Sequence, residues 1–176
     1  AFISMGKAER VREMGIRVGN DTRAQMHMAL GEYDSILILF NYNRVYIAEA
    51  LINKGKPEGI LERFAQDKRL CAQALLEMGD YEKLLHRYPN EIEFCTEALV
   101  ALKRWEQILK RYPGERWRCF RASCELYGFE EARRRYPDQR EFIAGGLFAQ
   151  QRYEELCDEY PDRAGWRAAA LLKLNR

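Results

Sequence analysis

Histidine is scarce in this sequence: two residues, His27 and His86, in a chain of 176. Neither belongs to a His-Glu-x-x-His segment. No Gly-x-Ser-x-Gly turn is present, and no glycine-rich loop has the spacing that cradles a nucleotide. These absences leave no motif for zinc proteolysis, serine hydrolysis or nucleotide hydrolysis, and no enzyme is expected. No apolar run approaches the roughly 20 residues of a membrane span, which excludes a transmembrane helix. Neither sign of charge is in excess, with 29 Lys+Arg against 27 Asp+Glu. The balance therefore demands neither nucleic acid nor a membrane surface as partner. The opening Ala1-Phe2-Ile3-Ser4-Met5 lacks the basic stretch and apolar core of a signal peptide, so none is expected. Strand-like alternation is missing at any useful length. The chain is nonetheless 47% apolar, enough for a folded domain.

What is present is a repeat. Tyr88-Pro89, Tyr112-Pro113, Tyr136-Pro137 and Tyr160-Pro161 recur every 24 residues. Seven residues before each tyrosine stands another aromatic, Tyr81, Trp105, Phe129 or Tyr153, and each is followed by glutamate, Glu82, Glu106, Glu130 or Glu154. The frame continues backwards through Phe64 and Phe40 in the tyrosine column. A small-residue column runs through Ala50, Ala74, Ala98, Ala122, Gly146 and Ala170. A fixed period of this size is the signature of stacked helical units. The clear repeats are 31–54, 55–78, 79–102, 103–126, 127–150 and 151–174, and residues 1–30 read as a degenerate first repeat or cap.

Each unit is predicted to hold two short helices. Tyr81, Leu84, Leu85 and Tyr88 fall at i, i+3, i+4 and i+7, one face of a first helix. Proline ends it, because the residue before proline leaves the helical region. Asn90, Asp138 and Asp162 are expected to N-cap the second helix, with Asn90–Glu93 and Asp138–Glu141 at capping-box spacing. That helix runs from about Glu91 to Leu102 and buries Phe94, Cys95, Ala98 and Leu99. Helices this short are marginal alone, so packing between neighbours must hold them. The fold class is all-α, a right-handed α-solenoid of about six to seven helix-turn-helix repeats.

The segment Gly79-Asp80-Tyr81-Glu82, the Pro89 column and the Ala98 column resemble a shortened tetratricopeptide repeat, over roughly residues 31–174. The departure is length, since that family uses 34 residues per unit. The resemblance implies a binding scaffold without chemistry of its own, with the second helix of each unit lining an inner surface that takes a peptide or partner domain.

Cys71, Cys95 and Cys119 share a repeat column with Ile47 and Ile143, a core position where cysteine acts as a small hydrophobe. Cys119 and Cys124 have poor metal spacing, so neither zinc nor a disulfide is expected. An odd number of cysteines on core columns suits a reducing, cytoplasmic setting. No cofactor is implied.

Positions that break the repeat are the candidate site. Arg118 stands where other units have Tyr46, Leu70, Phe94, Phe142 or Trp166, and Arg133 where they have Leu37, Leu61, Leu85, Leu109 or Cys157. Trp117, Phe120 and Arg121 stand beside Arg118 and suggest a basic-aromatic patch for an acidic peptide or a phosphate-bearing ligand. Glu93 and Glu97, with Thr96 and Phe120, are expected to be exposed on the inner columns. Arg134 is expected to pair with Glu130 at i, i+4. Residues 1–100 carry 13 basic and 15 acidic side chains and residues 101–176 carry 16 and 12, so the basic excess lies in the second half.

The reading is a protein-interaction scaffold, 1–176 forming one repeat domain and a piece of a larger protein. Self-association through an uncapped end is a further expectation. The alternative is a nucleic-acid-binding helical-repeat protein that uses the basic-aromatic patch.

Overall fold

The computed structural model describes residues 4–15 and 17–175. Ala1, Phe2 and Ile3, where no signal peptide is expected, lie outside the described residues. The protein is all-α, with fourteen short helices and no strand among the described residues. The helices are α1 (Met5–Glu13), α2 (Asn20–Ala29), α3 (Tyr33–Leu39), α4 (Arg44–Asn53), α5 (Glu58–Arg63), α6 (Lys68–Glu77), α7 (Tyr81–Arg87), α8 (Ile92–Ala101), α9 (Trp105–Arg111), α10 (Arg116–Tyr127), α11 (Phe129–Arg135), α12 (Arg140–Ala149), α13 (Tyr153–Glu159) and α14 (Ala164–Lys173). The chain divides into two compact units, Ala1–Ala98 and Leu99–Arg176.

Within the first unit each of α1 to α6 packs on its successor, and α4 also packs on α6. One core there gathers Ala24, Ile36, Phe40 and Ala50, and the next gathers Ile47, Leu51, Ile60, Leu70 and Ala74. In the second unit α10 packs on α9 and α11, and α12, α13 and α14 pack together. Its core holds Phe120, Ala132, Ile143, Leu147, Leu156, Tyr160 and Ala170. Burial of these apolar side chains, not helix propensity, stabilises helices of six to twelve residues.

The cysteine column does more than fill space. Cys71 Sγ donates to the carbonyl of Phe64 at 3.3 Å, Cys95 to Tyr88 at 3.2 Å and Cys119 to Tyr112 at 3.4 Å. In each case the acceptor is the residue that ends the preceding short helix. The thiol is therefore a second donor to a carbonyl at a helix C-terminus, which also accepts from the backbone N–H of Asp67, Glu91 or Glu115. All five cysteines are free thiols.

The longer helices share one ending. After α6, Gly79 N–H donates to Leu76 C=O at 3.0 Å and Asp80 N–H to Leu75 C=O at 2.9 Å. After α12, Gln151 donates to Phe148 at 3.0 Å and Arg152 to Leu147 at 2.9 Å. This is a Schellman motif, which places one residue in the left-handed region. Gly79 takes φ +74° without strain, whereas Lys103 at 55° and Gln151 at 60° hold the same place with a side chain. The second helix of the fourth clear repeat departs: α10 has twelve residues, because Tyr127 stays helical and Gly128 turns the chain one position later at φ +87°.

The N-cap expectation is corrected for Asp138 and Asp162. Asn43 and Asp67 are the capping side chains, accepting from Val45 and Tyr46 and from Leu70. In the second unit α12 begins after Gln139 and α14 after Arg163, neither with a side-chain cap. Tyr136 C=O accepts from Gln139 N–H and Tyr160 C=O from Arg163 N–H, both at 3.0 Å. These tight turns hold Asp138 and Asp162 inside the turn, one residue too early to cap. Their carboxylates bind arginines of the preceding repeat instead. Arg116 Nε donates to Asp138 at 2.8 Å while its guanidinium lies 5.3 Å from the Tyr136 ring centroid. Arg140 donates to Asp162 at 2.6 Å and lies 4.9 Å from the Tyr160 ring. The Tyr-Pro-Asp segment is thus a clamp on an arginine one repeat back. Glu141 closes no capping box either: it accepts from Trp166 Nε1 at 2.6 Å.

Candidate functional site

Of the seven residues singled out in the sequence, Glu93 and Glu97 belong to the first unit and the other five to the second. Both glutamates are exposed. Glu93 is held by Arg69 at 2.6 Å. Thr96, expected beside them on the surface, is buried. Its hydroxyl donates back to the carbonyls of Ile92 and Glu93 at 2.8 and 2.9 Å, which removes any need for water.

In the second unit α10 presents Trp117 and Arg121 four residues apart, on one helix face. Trp117 is 38% exposed, and its ring stacks on Phe142 of α12 with centroids 5.9 Å apart and planes at 16°. Phe142 is 47% exposed. It occupies the column in which sequence comparison places core residues, and only its contact with Trp117 marks it as part of a surface. Arg118 lies over the other aromatic partner of this strip: its guanidinium is 4.6 Å from the Trp117 ring and 2.6 Å from Glu115. With 12% of its side chain exposed, Arg118 is a packed element of the strip and not a free cation. Arg121 is exposed and sits 6.0 Å from the Trp105 ring.

Two of the proposed residues are corrected. Phe120 is buried, with its ring 6.3 Å from both Phe129 and Phe142. It stands in a column otherwise held by Ala48, Ala72, Thr96 and Ala144, while Ser123, three residues on, stands in a column of Leu51, Leu75, Leu99 and Leu147. Bulk has moved from position 123 to position 120, so the phenyl ring serves the core. Arg133 is also removed from the surface. It pairs with Glu155 at 2.6 Å, with Glu159, and with Glu130 at 3.7 Å, and only 18% of its side chain is exposed. Burial opposes its charge, yet Glu155 and Glu159 raise its pKa above the ordinary arginine value. Three carboxylates around one guanidinium explain an arginine in a leucine column.

Several other basic side chains of this unit are neutralised by carboxylates. Arg134 bonds Glu131 at 2.7 Å, not Glu130, and Arg135 bonds the same carboxylate. Together they hold the Glu131 pKa down to about 2. Arg116 and then Gln139 keep Asp138 well below the usual carboxylate range, and Arg140 does the same for Asp162. Glu130 pairs with Arg152. What the geometry leaves open is an aromatic pair, Trp117 and Phe142, flanked by the exposed guanidinium of Arg121, which has no carboxylate within ion-pair distance among the described residues.

No group of three His, Cys, Asp or Glu side chains among the described residues forms a metal site, and no described helix is long and apolar enough to cross a membrane. No protein-family model matches the chain, and neither a curated protein nor a solved structure matches it.

Proposed function

We propose that the chain is a tetratricopeptide-like helical-repeat scaffold that binds a protein or peptide partner, with Trp117, Phe142 and Arg121 as the contact surface. The observation that carries this reading is the stacked, half-exposed Trp117–Phe142 pair. Large aromatic rings left in water beside an arginine are the composition of interface anchors. The starts of α7, α9, α11 and α13 at residues 81, 105, 129 and 153 support a 24-residue structural unit. Successive packing inside each unit supports a solenoid, whose right hand comes from the family resemblance alone. Leu172, 76% exposed on α14, supports self-association as a secondary contact.

The scaffold reading is non-catalytic. Glu131, Asp138, Glu155 and Asp162 are pushed down by arginines, opposite to the direction a general acid needs. Five free thiols suit a cytoplasmic setting. Nucleic acid is the alternative partner. It is the weaker reading because Arg116, Arg118, Arg133, Arg134, Arg135, Arg140 and Arg152 already have carboxylate partners. These pairs reduce the positive charge that the second unit can offer to phosphates.

Affinity capture from a lysate of the source cells, with and without nuclease, tests the proposal. The comparison is wild type against Trp117→Ser/Phe142→Ser/Arg121→Glu. Discrete proteins kept after nuclease and lost in the variant support it. Loss of all capture on nuclease transfers the reading to nucleic acid. Identical protein capture by both chains removes this surface from the function.

A further inference from the structure

The first unit holds a second concentration of positive charge, and there it is only partly neutralised. A cavity of about 440 Å³ is lined by Arg12, Arg17, Val18, Arg23, Met26 and His27. Arg12 comes from α1, Arg17 and Val18 from the α1–α2 connection, and Arg23, Met26 and His27 from α2. One carboxylate serves this wall. Glu32 accepts from Arg12 through both oxygens at 2.7 and 2.6 Å and binds His27 Nδ1 at 2.7 Å. Glu32 is not among the residues that line the cavity, so it stands behind the lining and orients two of its members. His27 is also fixed by an edge contact with Phe40, centroids 6.3 Å apart. The Glu32 contact uses His27 Nδ1, and Nε2 is the ring's other nitrogen.

Arg17 and Arg23 are both exposed, and among the described residues neither has a carboxylate within ion-pair distance. Three guanidiniums therefore share one concave surface with Glu32 as the one carboxylate within ion-pair distance among the described residues, and Glu9 adds a more distant negative charge beside Arg12. Like charges gathered this way repel, and the arrangement is relieved when an anion enters. Each guanidinium offers a planar fork of N–H donors that matches phosphate oxygens. Val18 and Met26 add an apolar side to the same cavity, suited to the carbon group that carries an anion.

We propose that this cavity binds a phosphate monoester, with Arg12, Arg17 and Arg23 holding the phosphate and Val18 and Met26 receiving its carbon substituent. The site is separate from the aromatic surface of the second unit and stands whether or not that surface binds protein.

Calorimetric titration of the full chain with phenyl phosphate tests it, with benzoate as the carboxylate comparator. The variant is Arg17→Glu/Arg23→Glu, with the milder Arg17→Gln/Arg23→Gln in case the charge reversal perturbs folding. Arg63→Glu/Lys110→Glu, two exposed cations elsewhere, makes the same change in net charge and serves as control. One phenyl phosphate per chain is expected, bound about tenfold tighter than benzoate, with affinity falling by about tenfold or more in the Arg17/Arg23 variants and by less than about twofold in the control. Absence of saturable binding overturns the proposal, as does equal loss in the control or unchanged affinity in both Arg17/Arg23 variants. A phosphoserine peptide and adenosine monophosphate, titrated next, decide which carrier delivers the group: the tighter of the two names it, and loss of that binding in the Arg17/Arg23 variants supports the same site.

Discussion

Gly146 lies against the ring of Phe129 so closely that a methyl group in its place would stand 2.2 Å from Cε2 and 2.8 Å from Cζ. Both residues belong to one repeat, at the start of α11 and in the interior of α12. The small-residue column reaches its limit here, because this unit has no room for even the alanine its neighbours carry.

Gly146→Ala is therefore destabilising even though alanine is the better helix former. The propensity gain of about 1 kcal/mol is outweighed by overpacking, which costs about 1–3 kcal/mol. Gly165→Ala meets nothing within 4 Å and lies in the first turn of α14, so it is neutral or stabilising. Thermal melts of the two variants should shift in opposite directions or, at the least, only Gly146→Ala should lower the midpoint. A drop for Gly165→Ala equal to that for Gly146→Ala would refute the steric explanation.

Phe120 and Ser123 are coupled. Ser123 Oγ is buried without a hydrogen-bond partner, an arrangement that Ser123→Ala relieves by about 1 kcal/mol. Phe120→Ala removes a buried ring and costs roughly 3–5 kcal/mol. Phe120→Ala/Ser123→Leu restores the pattern of the other repeats and should recover a large part of that loss. Chemical denaturation of the four chains gives the coupling energy, and strict additivity would show that the two positions are independent.

Lys103 and Gln151 occupy a left-handed position that Gly79 occupies without strain. Lys103→Gly and Gln151→Gly should each stabilise by about 1 kcal/mol, since the backbone strain removed exceeds the entropy added to the unfolded chain. Urea midpoints measure the change. Lower midpoints in both variants would mean that the side chains hold these turns.

Acid should unfold the second unit through its arginine clamps. Glu131 is held at about 2 against an ordinary 4.5, and Asp138 and Asp162 lie below their ordinary 3.8. A carboxylate with a folded pKa below its unfolded one stabilises above the unfolded value, and that contribution is lost as pH falls towards the folded one. Stability should be level from neutral pH to about 5 and then decline towards about 2. Because these pairs are exposed, added salt should shrink the decline. Asp138→Asn/Asp162→Asn should flatten the profile, as read by denaturant midpoints against pH, and an unchanged slope would place the acid sensitivity elsewhere.

Thiol chemistry should follow depth. Cys71, Cys95 and Cys119 are buried, and burial pushes the Cys119 thiol up. Cys124 is half-buried and its thiol is pushed up for the same reason. Under native conditions an alkylating reagent should mark the half-buried Cys124 and Cys157 first, with the three buried thiols reacting only when the chain opens. Mass spectrometry after timed quenching resolves the order. Early labelling of Cys95 would show that its bond to Tyr88 does not protect it.

The local pattern of this protein is legible in its sequence. Apolar spacing locates α7 within one residue of its observed end, and the recurring Tyr-Pro pair locates the four breaks α7–α8, α9–α10, α11–α12 and α13–α14. Proline and the 3.6-residue period act over a few neighbours, so they need no knowledge of the rest of the chain. The site was legible only in part. Trp117 and Arg121 are on the surface, as their columns on the second helix suggest, but Phe120 is buried in the core and Arg133 departs from the repeat to meet carboxylates. Phe142 was hidden because its column is apolar in every other unit except one, and an apolar column reads as core.

What the sequence by itself determined is therefore the all-α class, the places where helices stop and the buried columns. Tertiary structure decided which side chains meet across repeats. Asp138 reads as a cap until a turn closes around it and Arg116 arrives from the helix before. Arg12, Arg23 and His27 read as scattered surface cations until α1 and α2 pack and Glu32 draws two of them to one wall. Such pairings depend on the path of the backbone between residues some twenty positions apart, and a period read along the chain carries the spacing of side chains but not the direction in which they turn.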